Sequence, residues 1–252
     1  MDSGLYAAYT ALMARTQALD TAANNLANVG TVGFRAQRDY FRGALVDGGG
    51  QNSPPSSQVG GTVNGFGVLG GNVLNLSQGE LSATGNPLDV ALHGQGFFAI
   101  QTPTKTLYTR NGSFSRSSTG VLQTAQGEPV LDVQGKSITI PTGTVHIASD
   151  GNISVATTQG NAIVGQIGVF DFPDRGQLHT ESGGRVSADS IDQRKAVNAA
   201  LQQGSLEEAN EDAVHGTMQL VLVQRQAEMM QKALSVFSND LDKTAAEELS
   251  RV

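Results

Sequence analysis

The sequence contains no cysteine and no tryptophan, and aromatic residues make up only 5% of it. Without cysteine there is no disulfide, no thiolate nucleophile and no zinc–thiolate site. Few large rings imply a modest core for a 252-residue chain, a length that suits one large domain or two small ones. Charge is scarce as well: 15% of residues are charged and the formal net charge is −7. A broad basic surface cannot be built from that balance, so no nucleic acid is expected as a partner. No window approaches about eighteen consecutive apolar residues, so no transmembrane helix is expected. The opening stretch MDSGLYAAYTALMARTQALD lacks a basic start followed by an apolar run, and no cleaved secretory signal is expected.

What the chain does have is glycine, 31 residues of it, and two helical ends. Leu5, Leu12, Leu19 and Leu26 recur every seventh residue, with Ala8, Tyr9, Ala22 and Ala23 beside that line. A seven-residue apolar repeat makes a narrow seam suited to coiled-coil packing, and an ordinary amphipathic helix on the local core is the alternative. The pattern predicts a helix over about residues 4–28, ended by Gly30 or Gly33. Asn24, Asn25 and Asn28 crowd the end of this helix, although asparagine is a poor helix former.

Residues 46–72 are rich in Gly, Ser, Pro and Asn and read as a linker or an extended arm around a short strand. Beyond them the pattern changes to short alternating runs. GFFAIQ at 96–101, SITIP at 137–141, TVHIA at 144–148 and NISVA at 152–156 fit strands. Asp150-Gly151 is a hairpin signal, and turns are expected at 118–120 and 126–129. AIVGQIGVFDF at 162–172 reads as one longer strand bent at Gly165 or Gly168. The last segment is helical again over about 211–249, with Asn210 as its expected cap. Leu222, Met229 and Val236 stand seven apart, and Met218 widens the line.

The expected fold class is therefore α+β. N- and C-terminal helices form a coiled-coil-like domain that flanks an extended arm and a central all-β domain. The expected divisions are 1–33 for the first helix, 34–72 for the arm, 73–205 for the β domain and 206–252 for the last helix. Antiparallel helices could pair their seams, and the apolar residues left over would need other subunits.

Sites for chemistry are not evident. His93, His146, His179 and His215 have neither a helical partner four residues away nor nearby acids at metal-ligand spacing. HGQGFF has one Gly-x-Gly but lacks the third glycine and the following helix of a dinucleotide fingerprint. No nucleophile elbow or P-loop is present. No catalytic residue, metal, cofactor or small-molecule substrate is expected.

The motifs themselves point further. ANNLANVGTVGFR at 23–35 closely resembles the amino-terminal signature of the flagellar rod and hook axial proteins. LSQGELSATGNPLDVALHGQGFF at 76–98, YTRNGSFSRSSTGVLQTAQGEPVL at 108–131 and QGSLEEANEDAVHGTMQLVLVQRQAEMMQKAL at 203–234 are similar to later segments of the same family, in the same order. MDSGLYAAYTAL and GFRAQRDYF favour the proximal-rod type, with the distal-rod type as the alternative.

The resemblance implies a structural subunit of the flagellar basal-body rod, which crosses the periplasm and transmits torque from motor to hook. Its terminal helices would build the inner wall and its β domain would face outward. It implies partners too: the chain itself, other rod and hook axial proteins, and the flagellar type III export apparatus, with no signal cleavage. The expected assembly interface comprises Leu5, Leu12, Leu19, Leu26, Asn24, Asn25, Asn28, Met218, Leu222, Met229 and Val236. For Asn28, capping the local turn stands equally open. A secreted β-domain enzyme or glycan-binding module with helical oligomerisation ends is the alternative function. It needs a pocket with convergent polar groups.

Overall fold

The computed structural model describes residues 2–42, 68–157, 160–172, 176, 178–188, 194–196 and 199–249. Most of the expected Gly/Ser/Pro-rich arm, residues 43–67, lies outside the described residues. The chain is α+β, with N- and C-terminal helices flanking a sheet-rich central region. Its contacts divide it into two units. One comprises residues 1–26, 37–72 and 213–252, and the other 27–36 and 73–212.

The first unit holds the helices. Helix α1 spans Asp2–Ala27 and helix α2 spans Ala213–Leu249. Between Leu5 and Ala27 there is no Gly or Pro, and Ala, Leu, Gln and Met supply strong helix propensity. Strands β1 (Gln37–Arg42) and β2 (Val68–Leu74) pair into a two-stranded sheet. No described helix is long and apolar enough to cross a membrane.

Among its described residues the second unit contains fifteen short strands, numbered β3 to β17. They are β3 (Leu81–Ala83), β4 (Val90–His93), β5 (Phe97–Gln101), β6 (Thr106–Thr109), β7 (Phe114–Arg116) and β8 (Leu122–Thr124). Then come β9 (Thr144–Ile147), β10 (Asn152–Thr157), β11 (Gly160–Gln166), β12 (Val169–Asp171), β13 (Leu178–Glu181) and β14 (Arg185–Ala188). The last are β15 (Arg194–Lys195), β16 (Ala200–Gln203) and β17 (Ser205–Glu207). A six-stranded sheet runs β13-β14-β6-β5-β12-β15, all antiparallel. A three-stranded sheet runs β11-β10-β9, and β7 pairs β8. The chain returns at its end, so that β16 pairs β4 and β17 pairs β3.

Strand β5 explains why this region is compact. Side chains alternate across a strand, so Phe98 and Ile100 enter one core while Phe97 and Ala99 enter another. All four are buried. The first core includes Phe114 in an edge-to-face contact with Phe98 at 5.2 Å. The second stacks Tyr108 edge-on to Phe172 at 4.7 Å. Each such side chain contributes about 1.5–3 kcal/mol on burial. β9 and β10 form the hairpin signalled by Asp150-Gly151, with Gly151 at a φ of 88°. The outer edge of β9 is closed by one side chain, since Gln203 accepts from the Ile147 amide at 3.1 Å and donates to the Val145 carbonyl at 3.0 Å.

Two strand expectations need correction. Residues 137–141 form only isolated bridges, Ser137 to Leu131 and Thr139 to Val121, although Ile138 and Ile140 are buried. The expected strand at 162–172 is two strands, broken at Ile167–Gly168. A Cβ on Gly168 would lie 2.6 Å from the Asp132 carbonyl oxygen, so the chain needs glycine where it changes partners.

Candidate functional site

The terminal helices each present two faces. On α1 the buried line is Ala14, Ala18, Thr21, Ala22 and Asn25, mostly small residues. Leu12, Leu19 and Leu26 flank it and are half-buried, and the side chain of Leu5 lies outside the described residues. The seven-residue leucine repeat therefore marks a shoulder of the helix, and its most buried line runs through small side chains. Tyr9 and Met13 are exposed.

The three asparagines do different things. Asn25 is 7% exposed, and its amide is spent within its own chain. Its Nδ2 donates to the Gln37 carbonyl at 2.8 Å, and its Oδ1 accepts from the Gln37 amide at 2.9 Å. This departs from the intersubunit role expected for Asn25. A primary amide carries a donor and an acceptor side by side, and Gln37 of β1 turns its own backbone N–H and C=O to both. Asn24 is exposed, and half-buried Asn28 accepts from the Thr31 hydroxyl at 3.3 Å. Thr21 reinforces the same contact, 3.0 Å from an Asp39 carboxylate oxygen.

On α2 the half-buried and buried line is Gly216, Leu220, Val223, Ala227, Met230 and Leu234. The residues singled out from the sequence lie elsewhere on the helix. Met218, Leu222, Met229 and Val236 are 57–62% exposed, and Val214 and Val221 are exposed with them. An open, mostly apolar concavity runs along the start of this face, lined by Ala213, Val214, Thr217, Met218, Val221, Leu222 and Arg225.

A second constellation was not anticipated from the sequence. Glu207 of β17 is fully buried and holds two arginines. Its Oε1 lies 2.6 Å from Arg35 Nη2 and accepts from the Gly79 amide at 2.9 Å. Its Oε2 lies 3.1 Å from Arg110 Nη1. Arg110 also donates to the Gly94 carbonyl at 2.7 Å, and its guanidinium lies 5.4 Å from the Phe97 ring. Burial pushes Arg110 down to about 10, and the Arg35 charge adds to that, while Glu207 opposes it.

Arg35 reaches this place because the segment after α1 is threaded into the β unit. Gly33 donates to the Glu207 carbonyl at 2.7 Å and adopts a φ of 70°. A Cβ there would stand 2.4 Å from the backbone of Arg110 and Asn111. Phe34, Arg35 and Ala36 are all buried. Asn210 completes the clamp, which corrects its expected role as the cap of α2, since that helix begins only at Ala213. It accepts from the Ala36 amide at 2.8 Å and donates to the Asn75 and Ser77 carbonyls at 2.7 and 2.9 Å. The local sequence does not mark these residues, since Glu207 stands beside Glu208 in an acidic run and Arg110 in the polar run YTRNGS. Among the described residues, no group of three His, Cys, Asp or Glu side chains could hold a metal.

These geometries describe a helical unit with open apolar faces and a β unit locked by buried ion pairs, and the comparisons with known proteins agree with a structural role. Residues 5–35 match the family model described as "Flagella basal body rod protein", and residues 91–155 match "Flagellar hook protein FlgE/F/G D1 domain". The flagellar basal-body rod protein FlgF of Mesorhizobium japonicum is 37% identical over 89% of both chains. FlgF of Caulobacter vibrioides is 31% identical over 100% of both. FlgG of Bacillus subtilis is 33% identical over 82% of this chain and 84% of its own. With this similarity over nearly its whole length, the chain belongs to the flagellar basal-body rod protein family.

Proposed function

We propose that this chain polymerises through its terminal helices into the axial shaft of the flagellar rod and there carries torque from motor to hook. It is a structural subunit of the flagellar basal body that assembles with other rod and hook proteins. The family is structural and not enzymatic, and nothing supports a catalytic or glycan-binding alternative. In this proposal the rod crosses the periplasm. The chain reaches it through the flagellar export apparatus, without cleavage of its amino terminus.

The observation that carries the reading is the exposed line Met218, Leu222, Met229 and Val236 on α2. Apolar side chains aligned on one helix face mark an interaction surface. The helices act as a coiled-coil-like domain in the assembly, and the half-buried Leu12, Leu19 and Leu26 are shoulders that a neighbour can cover. Leu5, Asn24 and Asn28 belong to the same proposed interface. Asn25 serves it indirectly, by fixing β1 beside α1.

The test is a Leu222→Ser/Met229→Ser double variant followed from secretion to isolated basal bodies. Secreted amount and β-unit melting should match wild type while incorporation and motility fall. Normal incorporation would reject this face as an assembly surface.

A further inference from the structure

Each terminal helix carries a second heptad line on its outer side, and the two outer lines are complementary in spacing and in charge. On α1 the outer line is Tyr9, Met13, Thr16, Asp20 and Ala23, every member exposed. On α2 it is Leu222, Arg225, Met229, Lys232 and Val236, again every member exposed. Both lines advance in alternating steps of four and three residues, the spacing of a coiled-coil seam. Both cover roughly 21 Å of helix at about 1.5 Å per residue. Each outer line lies two residues from a line that its own chain already buries, from Ala14 to Asn25 on α1 and from Gly216 to Leu234 on α2. Two residues are about 200° of rotation at 3.6 residues per turn. The inner lines are covered within the chain, and the outer lines lie on the far side.

We propose that α1 of one copy packs its outer line antiparallel against the outer line of α2 in the next copy, with Asp20 paired to Arg225. This rests on the rod-subunit reading and specifies its contact. Running antiparallel, the lines coincide step for step. Tyr9 meets Val236, Met13 meets Lys232, Thr16 meets Met229, Asp20 meets Arg225 and Ala23 meets Leu222. Lys232 lays its stem along Met13 and keeps its ammonium in solvent. Run parallel, the matching register begins at Met218 and sets Asp20 against Met229, which leaves the carboxylate without a partner. Burying an unpaired charge is costly, so charge selects the antiparallel arrangement. None of Asp20, Arg225 and Lys232 makes an ion pair among the described residues, so all three are available. Because the contact joins two different surfaces, it repeats from copy to copy and need not close on itself. Each contact is small, and repetition along the polymer supplies the avidity.

The absence of cysteine makes the test clean. The full-length chain is made as Ala23→Cys/Leu222→Cys, and separately as Ala23→Cys/Lys232→Cys, in cells that build flagella. Basal bodies are isolated, oxidised and run on a denaturing gel. The first variant should give a ladder at multiples of the chain mass, and the second should not. The reverse result, or a single adduct of another mass, overturns the pairing. Basal bodies that contain the first variant but give no cross-link also overturn it and leave the rod reading intact. Absence of wild-type chain from basal bodies overturns both. A charge exchange gives an independent readout. Asp20→Arg should reduce incorporation by about tenfold or more, and Asp20→Arg/Arg225→Asp should restore it. No restoration, with both variants secreted normally, overturns the pairing.

Discussion

Glu207 lies 2.6 Å from Arg35, a residue 172 positions earlier in the sequence, and neither side chain is more than 2% exposed. The contact joins the segment after α1 to the returning end of the β unit. Glu207 also serves Arg110 and the Gly79 amide, so it is the shared anion for two cations.

Removing that anion leaves two buried arginines facing each other. Glu207→Gln should destabilise the β unit by about 3–5 kcal/mol in urea unfolding, because the desolvation cost remains and the attraction is lost. Replacing all three residues with apolar side chains of similar volume should cost much less than Glu207→Gln alone. Equal losses in the two variants would show that packing and not charge is responsible.

Gly33 should tolerate no side chain. Its φ of 70° and the backbone 2.4 Å from a would-be Cβ act together. Gly33→Ala should cost about 2–4 kcal/mol. The loss should appear as reduced exchange protection at the amides of Gly33 and Phe34. A melting curve superposable on wild type would contradict the close approach.

The structural boundary makes a truncation prediction. Residues 27–36 belong to the β unit, although Ala27 is the last residue of α1 and the rest follow directly on it. A chain starting at residue 27 and ending at 212 should fold. One starting at 37 should melt roughly 10 °C or more lower, since it loses the Arg35 partner of Glu207. Equal melting of the two would place the segment outside the unit.

The α1–β1 contact should respond to acid. Burial holds the Asp39 carboxyl above its ordinary value of 3.8, and the Thr21 bond offsets part of that. The native state therefore binds a proton before the unfolded state does as pH falls. The desolvation penalty is present in full above the raised value. It is relieved as pH falls through that value towards 3.8. Protection of the Gln37 amide, corrected for intrinsic exchange, should rise across this window in the wild type and stay flat in Asp39→Asn. A fall in the wild type would reverse the assigned sign.

Asn25 is the last link of that contact. Asn25→Ala removes the donor to the Gln37 carbonyl and the acceptor of the Gln37 N–H, and should cost about 1–3 kcal/mol of local stability. Exchange at Gln37 should accelerate while amides of β5 and β6 stay protected. Uniform acceleration would mean that the loss is global.

Much of the architecture was legible locally. The extent of both helices, the β5 alternation through Phe97–Ile100, the Asp150-Gly151 hairpin and the family membership all depend on residues near one another in sequence. Periodicity and turn chemistry act over a few residues, so a sequence records them directly. What the sequence could not reveal was which groups meet across long loops. The Arg35–Glu207–Arg110 cluster, the clamp of Asn210 on Ala36 and the pairing of Asn25 with Gln37 each require the chain to have folded first. Periodicity assigns residues to a common face of a helix, but it cannot say whether the rest of the chain covers that face. Leu19 and Leu222 look alike as members of heptad repeats, yet Leu19 is half-buried and Leu222 is 57% exposed. Burial is a property of the neighbours a residue acquires in three dimensions, and only the tertiary structure supplied them.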